Sequence, residues 1–305
     1  MARPPRNPHI PMRSGVSPSM VALPAGHWPT VLDFLAERLP VVTRQAWAER
    51  IRSGLVLKED GQPVMEAQAY ASGRRLYYYR SLEDEPELPE HETIVFEDEH
   101  LLVADKPHFM PVTPSGKYVQ QSLLVRLKRQ TGCADLSPIH RIDRETAGLV
   151  LLSKRPEDRN AYQALFRERI VHKTYEAVAA RPTGAVLPLV HRSRLVEDAR
   201  FFRMREVAGE PNSETHVRLL REAGDHALYG LAPVTGKRHQ LRVHMLALGT
   251  PIEGDQFYPE VRKGPDDAED FRHPLQLLAR SVSFTDPVTC QSRHFTSQRH
   301  LSIRT

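Results

Sequence analysis

The sequence predicts an α+β protein in which a small N-terminal module precedes a large domain with a mixed, mostly antiparallel sheet. Short apolar or alternating runs typical of strands recur along the chain, as at residues 149–152 and in KTYEAV from Lys173. Helical apolar spacing occurs between such runs, as at Leu241, Met245 and Leu248. The 305 residues suffice for one medium domain plus a small appendage and can bury an ample core.

Four segments are expected along the chain. Residues 1–26 are rich in proline and arginine and show no hydrophobic period, which is typical of a flexible tail. Residues 27–82 form a small module, and the acidic, proline-containing residues 83–92 form a linker. Residues 93–305 form the large domain, in which a helix over 157–167 should pack outside the sheet.

The small module is predicted to contain two short helices followed by a hairpin. The first helix starts at Thr30 and ends at Pro40. The second has Thr43 as its N-cap and Gly54 as its C-cap. The hairpin turns at residues 60–61, an Asp-Gly pair, and a YYYR strand follows it.

A charged turn leads into an apolar strand at residues 140–154, HRIDRETAGLVLLSK. Asp143 lies between Arg141 and Arg144, and guanidinium groups favour the charged form of a neighbouring carboxylate. The small residues and buried strand that follow would hold this carboxylate in a fixed position. Taken alone, the segment fits a solvated surface turn better, because most charge clusters are solvated faces.

Residues 235–258, TGKRHQLRVHMLALGTPIEGDQFY, predict a helix with a strongly basic beginning. Gly236 marks the turn into the helix, and Gly249 followed by Pro251 marks its end. A helix N-terminus attracts anions, so phosphate or a carboxylate is the expected partner. The polar residues of the first two turns are Lys237, Arg238, His239, Gln240, Arg242 and His244.

Together these two segments resemble the RluA-type pseudouridine synthase family, whose signatures read approximately HRLD-x-x-TSGL and TGR-x-HQ-(I/L)-R-VH-x-x-x-x-G-x-PI-x-GD. Further segments at 94–112, 173–178 and 273–289 follow in the family's order, so the resemblance covers about residues 92–300. The chain departs from the pattern at Ala147, where the family has serine, and in the acidic loop 259–272, which does not align. The matching positions are His140, Arg141, Asp143, Thr146, Gly148, Leu149, Thr235, Gly236, His239, Gln240, Arg242, Val243, His244, Gly249, Pro251, Ile252, Gly254 and Asp255.

The resemblance implies an RNA pseudouridine synthase, which detaches a uracil base from its sugar, turns it over and rejoins it through carbon. This isomerisation needs a carboxylate and a dry site, and it needs no metal or other cofactor. The resemblance implies that Asp143 is this carboxylate and that Arg242 pairs with it, while its step of action stays open. It implies that Tyr175 lies in the active site, although KTYEAV alone reads as an ordinary half-buried strand.

RNA is the expected partner, because a stacked uridine must be flipped out of its helix before the enzyme can act on it. The resemblance implies that Arg141 fills the space of the flipped base; a phosphate contact is the alternative. His140 is expected mainly to fix the loop by hydrogen bonds. Lys237, Arg238 and His239 complete the predicted RNA-binding set, and the basic clusters of the chain suit an RNA backbone.

The N-terminal module resembles the small alpha-L RNA-binding module, although a packing module without RNA contact fits the pattern almost as well. Transfer RNA, large-subunit ribosomal RNA or both are the expected substrates. Two other classes of function stay open: an RNA-binding protein that has lost catalysis, and a hydrolase. The hydrolase would need a second carboxylate, for which Asp255 is the candidate.

The composition indicates where and how the protein works. Cys133 and Cys290 are far apart and provide neither a disulfide framework nor a four-cysteine zinc site, which favours a reducing cytoplasm. His239 and His244 are five residues apart, which is not the spacing of a helical metal pair. The sequence has no apolar run of membrane-spanning length, so no membrane partner is expected, and we expect a monomer.

Overall fold

The computed structural model describes residues 7–80, 85–182, 187–199, 203–262, 264 and 267–303. The chain divides into two compact units. The first contains the N-terminal residues up to Glu85, with Gly116–Gln120 and Val125–Ala134. The second contains Pro86–Ser115, Gln121–Leu124 and the chain from Asp135 onwards. Residues 1–6 of the predicted tail, and residues 81–84 where the predicted module meets the linker, lie outside the described residues.

The first unit has a three-stranded antiparallel sheet and two capped helices. Its elements are β1 (Ser19–Ala22), α1 (Val31–Arg38), α2 (Arg44–Arg52), β2 (Val56–Lys58) and β3 (Arg75–Tyr78), with strand order β1-β3-β2. Thr30 and Asp33 form a capping box on α1, and Thr43 caps α2 through the Ala46 N–H. Phe34 and Trp47 are buried at the centre of its core. Each such aromatic side chain stabilises the unit by about 2–3 kcal/mol on burial.

The helices and the turn of this unit follow the sequence prediction, whereas the tail prediction is wrong at residues 19–22. Gly61 turns the hairpin with a φ of +81°, and Gly54 follows α2 with a φ of +65°. Strand β1 lies inside the segment predicted to be a flexible tail, and it pairs with β3. Four residues are too few for a readable alternation, and their partner strand lies more than fifty residues later in the chain.

The second unit is built on one large sheet with α4 and α5 among its helices. Helix α3 (Leu123–Thr131) crosses the division between the units in sequence. The remaining elements are β4 (Thr93–Glu97), β5 (Leu101–Lys106), β6 (Ser137–Pro138), β7 (Ala147–Ser153), α4 (Arg159–Arg167), β8 (His172–Ala180), β9 (Leu189–Glu197), β10 (Met204–Val207), β11 (Ser213–Ala223), β12 (His226–Pro233), α5 (Gln240–Ala247), β13 (Leu277–Thr285) and β14 (Ser292–Thr296).

The strand order of the large sheet is β10-β9-β11-β12-β8-β13-β7-β5-β4, with β14 on β13 and β6 on β7. In the described part of the chain, every pairing in this sheet is antiparallel except that of β13 with β7. The predicted mixed, mostly antiparallel sheet is therefore confirmed. Strand β13 lies between β7 and β8, so it joins the two halves of the sheet.

Glycine is required where β7 meets β13. Gly148 has a φ of +109°, and a Cβ atom built on it would lie 2.3 Å from the Ala279 carbonyl oxygen. Ala279 pairs with Gly148 on one side and with Tyr175 of β8 on the other. This close approach places the loop before β7 beside the middle of β8, where the predicted site residues lie.

Candidate active site

Asp143 lies in the loop that precedes β7, and its carboxylate is partly open to solvent. The Thr146 N–H donates to the Asp143 carbonyl at 3.2 Å, which closes a turn directly before the strand. The side chain is 26% exposed, and its Oδ2 lies 3.6 Å from Nη1 of Arg242. This distance is too long for a hydrogen bond but short enough for a strong charge interaction.

Arg242, on α5, is held mainly by a different carboxylate from the one predicted. Its Nε and Nη2 donate to Asp255 Oδ2 and Oδ1 at 2.8 and 2.6 Å, a bidentate pair in which each side chain is 1% exposed. Nη1 makes no hydrogen bond to a described residue and faces Asp143. Burial alone would lower the pKa of Arg242, but the Asp255 and Asp143 carboxylates raise it above its ordinary value.

The turn that carries Asp255 fixes the guanidinium in place. Asp255 Oδ1 also accepts from the N–H groups of Phe257 and Tyr258 at 2.8 and 3.1 Å. The guanidinium carbon of Arg242 lies 5.2 and 5.3 Å from the ring centroids of these two aromatic residues. Charge, hydrogen bonds and cation–π contacts therefore hold Arg242 in one orientation.

Tyr175 presents a neutral phenol to the same region. Burial raises the pKa of its hydroxyl, and the nearby charge of Asp143 raises it further, so the group keeps its proton at neutral pH. A small, open pocket lies beside the ring. It is lined by His140, Leu149, Phe166, Lys173, Tyr175, Ala279, Ser281 and Val282.

Helix α5 begins later than the sequence predicted. His239 has a left-handed φ of +52°, so the helix starts at Gln240 and the three residues before it form a turn. The Gln240 side-chain oxygen accepts from the Thr235 hydroxyl at 2.7 Å and from the Lys237 N–H at 3.0 Å, which stabilises this turn. Lys237 and Arg238 are exposed in the turn, as is Arg141 beside Asp143.

Two of the predicted RNA-binding histidines make contacts inside the protein. His140 Nε2 accepts from the Leu151 N–H at 3.1 Å, and its ring stacks on Phe166 with centroids 4.5 Å apart. Burial lowers the pKa of His140 to about 3, so the ring is neutral. His239 is buried and lies 3.0 Å from the Tyr258 hydroxyl through Nδ1.

Sequence reasoning missed the residues that hold the Asp143 loop from the side of β5. Lys106 Nζ donates to the Pro107 and Arg144 carbonyls at 2.9 and 3.1 Å. His108 Nδ1 lies 2.7 Å from the Glu145 carbonyl, which can only accept, so this nitrogen carries the proton. Burial lowers the pKa of Lys106 to about 7. The sequence signal that could have identified Lys106 is the Asp-Lys pair at the end of the run LLVADK, which the structure buries completely.

One group of side chains in the described part of the chain could hold a metal ion. His191, Glu206 and His244 each place a possible ligand atom within 4.8 Å of the others. His191 Nε2 lies 2.8 Å from Glu206, while the two ring nitrogens of His244 already contact the Thr215 and Ser213 hydroxyls at 2.9 and 3.0 Å. A metal ion would have to replace at least one of these hydrogen bonds. The isomerisation that the sequence implies needs no metal.

None of the helices in the described ranges is both long enough and apolar enough to cross a lipid bilayer.

Comparison with known proteins places this site in a recognised sequence context. Residues 100–247 match the family model described as RNA pseudouridylate synthase. An uncharacterized RNA pseudouridine synthase of Synechocystis sp. is 32% identical over 231 residues, which cover 75% of this chain and 79% of that protein. The dual-specificity RNA pseudouridine synthase RluA of Vibrio cholerae is 32% identical over 201 residues, covering 64% of this chain and 77% of the relative.

A third relative and a solved structure agree. The ribosomal large subunit pseudouridine synthase C of Vibrio cholerae is 33% identical over 198 residues, covering 64% of this chain and 62% of that protein. The structure of human RNA pseudouridylate synthase domain containing 1 superposes with a TM-score of 0.56 at 23% identity. The superposition covers 73% of this chain and 94% of the human chain, so the two share a fold.

Proposed function

This chain belongs to the RluA-type RNA pseudouridine synthases, isomerases that act on RNA, and on that premise we propose that Asp143 is its catalytic carboxylate. One observation carries the proposal. Arg242 gives two of its nitrogens to Asp255 and turns the third towards Asp143 without a hydrogen bond. A guanidinium nitrogen thereby lies 3.6 Å from Asp143, while the carboxylate stays free to meet a substrate.

The reaction requires a carboxylate of this kind. The bond between uracil nitrogen and the sugar breaks, the base turns over and a carbon–carbon bond forms. One proton leaves the base carbon and the detached nitrogen takes one up, so the composition does not change. Asp143 could attack the sugar, attack the base or take the proton, and each role needs a charged and reachable oxygen. Arg242 positions it and balances its charge, which a planar guanidinium fork does better than an ammonium group.

We assign Tyr175 to stacking on the uracil ring. Its phenol holds its proton at neutral pH, so it offers an aromatic face and a hydrogen-bond donor rather than a base. Proton removal from the base carbon then falls to another group, or to Tyr175 only after a partner has taken its own proton.

The RNA contacts follow from the exposed cations. Arg141 is exposed beside Asp143 and is proposed to fill the space of the flipped base, while Lys237 and Arg238 contact phosphates. Cytoplasmic tRNA or large-subunit rRNA is the proposed substrate class, and relatives are named as a dual-specificity RNA pseudouridine synthase and a ribosomal large subunit pseudouridine synthase. The proposal includes action as a monomer and an RNA contact by the N-terminal module.

Tritium release from RNA carrying 5-tritiated uridine tests this function directly. Wild type should release tritium from tRNA or rRNA, and Asp143→Asn should release none while binding RNA as tightly, because the substitution removes only a charge that acts on the reacting atoms. Asp270→Asn is the matched control, since Asp270 is exposed to solvent and pairs with Arg272 in its own loop. Turnover in Asp143→Asn would overturn the assignment. Wild type that binds RNA but releases no tritium would indicate a non-catalytic RNA-binding protein.

A further inference from the structure

Residues 267–272, here called the bracing segment, contact both loops that surround Asp143. Glu269 Oε1 accepts from Arg144 Nη1 at 3.0 Å, in a pair whose side chains are only 10% and 22% exposed. Phe271 packs edge-on against Phe109, with ring centroids 5.2 Å apart. The segment belongs to the acidic loop that does not align with the family signature, so the signature does not include these contacts.

Phe109 adopts a backbone conformation that favours glycine. Its φ is +65°, the left-handed region that L-residues with a Cβ rarely occupy, yet its side chain is buried. A glycine would relieve the backbone but would leave Phe271 without its partner. The next residue towards the N-terminus, His108, holds the Glu145 carbonyl, so the loop containing Phe109 is itself part of the support of the Asp143 loop.

Arg144 is the second arginine close to the proposed catalytic carboxylate, and two acids hold it. Its Nε donates to Glu145 at 2.9 Å, while Nη1 donates to Glu269. Burial alone would lower the pKa of Arg144, but these two carboxylates raise it, so the guanidinium remains charged. A charged guanidinium next in sequence to Asp143 would pair with that carboxylate if it were released.

We propose that Glu269 and Phe271 are positioning residues, which act on Asp143 through Arg144 and Phe109. Glu269 keeps the Arg144 guanidinium engaged, so that Arg242 remains the cation that faces Asp143. Phe271 packs against Phe109 and thereby holds the bracing segment next to the loop that follows β5. This inference rests on the proposed role of Asp143, since a small displacement of a reacting carboxylate is enough to slow the reaction.

The bracing segment can be tested by kinetics. Glu269→Ala should lower kcat for tritium release on the order of tenfold or more, with KM for RNA unchanged. Because removal of one partner from a mostly buried ion pair also lowers stability, kcat is compared well below the Tm of the variant. Glu269→Gln keeps an acceptor oxygen for Arg144 and should recover part of the rate. Glu222→Ala, which breaks an exposed ion pair with Arg181 outside the bracing segment, is the matched control and should behave as wild type.

Hydrogen exchange gives a readout that does not depend on turnover. The amides of residues 140–146 should exchange faster in Glu269→Ala and in Phe109→Gly than in wild type or Glu222→Ala. Relief of backbone strain alone would make Phe109→Gly exchange more slowly, so the two explanations predict opposite signs. Wild-type kcat and exchange in Glu269→Ala would overturn the positioning role. If instead wild type releases no tritium, the proposed function fails and the exchange comparison still decides the role of the segment.

Discussion

Two loops lie next to Arg242, and their carboxylates contact its guanidinium in different ways. Asp255 is buried, binds the guanidinium with two hydrogen bonds and has its carboxylate fixed by backbone N–H groups of its own turn. The loop containing Asp143 is partly open, and its carboxylate stops 3.6 Å from the remaining nitrogen. Both carboxylates lie next to the Arg242 guanidinium, but only Asp255 forms hydrogen bonds with it.

The difference shows how an arginine can lie beside the proposed catalytic carboxylate without occupying its oxygens with hydrogen bonds. If Asp143 made the bidentate pair itself, its oxygens would be occupied and desolvated before substrate arrived. Because Asp255 makes that pair, Arg242 is already oriented. Its positive charge then acts on Asp143 with no hydrogen bond between the two side chains. Asp255 thus orients Arg242, while the proposed catalytic role belongs to Asp143.

The largest effect should follow from breaking the buried side of this arrangement. Asp255→Ala leaves an uncompensated buried guanidinium and should reduce the free energy of unfolding by about 3–5 kcal/mol. Asp143→Ala removes a looser, partly exposed partner and should cost less than about 1 kcal/mol. Urea denaturation of both variants beside wild type measures the contrast. Equal losses would mean that the two carboxylates hold Arg242 equally.

An intermediate effect is expected from Arg242→Lys. An ammonium group keeps the charge but cannot bind Asp255 with a fork and face Asp143 at once, so about 1.5–3 kcal/mol of hydrogen bonding should be lost. Tritium release should fall severely, while RNA binding persists. Chemical denaturation and single-turnover assays on the same preparation separate the two quantities. Near-normal turnover would remove Arg242 from the orienting role.

The smallest effect concerns the pH dependence of folding stability that His108, on the Asp143 side of the site, should contribute. Burial lowers the pKa of His108 to about 4, below its ordinary value of 6.5. The unfolded chain therefore binds the proton first, so stability is complete above pH 6.5 and is lost as the pH falls towards 4. At pH 5.5 the loss should be about 1.4 kcal/mol for this histidine.

His108→Asn should remove this part of the pH dependence, since an amide can still donate to the Glu145 carbonyl and does not titrate in this range. His216→Asn, at an exposed position, is the matched control. Unfolding free energies at pH 5.5 and 7.5 give the result. An unchanged slope in His108→Asn would show that His108 does not carry the linkage.

The fold could be predicted from the sequence wherever the pattern is local and long. Strand β7 reads as an apolar run, and the end of α5 is marked by Gly249 and Pro251. Strand β1 is too short for such a pattern and depends on a distant partner. The start of α5 was misplaced because the left-handed conformation of His239 depends on contacts of its turn rather than on residue type.

The candidate site was predicted only where a signature includes it. Asp143, Arg242 and Tyr175 were chosen by resemblance, and they lie around one region. The pairing of Arg242 with Asp255, and the contact of Lys106 with the Asp143 loop, join residues whose proximity no spacing rule gives. Buried ionic contacts across loops depend on tertiary packing, and a single sequence carries little signal for them.

The position of β13 has a consequence for when the protein becomes active. Asp143 precedes β7 on one half of the sheet, while Tyr175 and Arg242 belong to the other half, and β13 joins the halves although it follows all three in the chain. A nascent polypeptide that has emerged only as far as α5 holds every candidate catalytic residue but has no strand to bring them together. We expect this long-range pairing to form slowly, because its loop-closure entropy is lost before the contacts are made. The candidate catalytic residues should therefore come together only after β13 has been synthesised and has paired with β7 and β8.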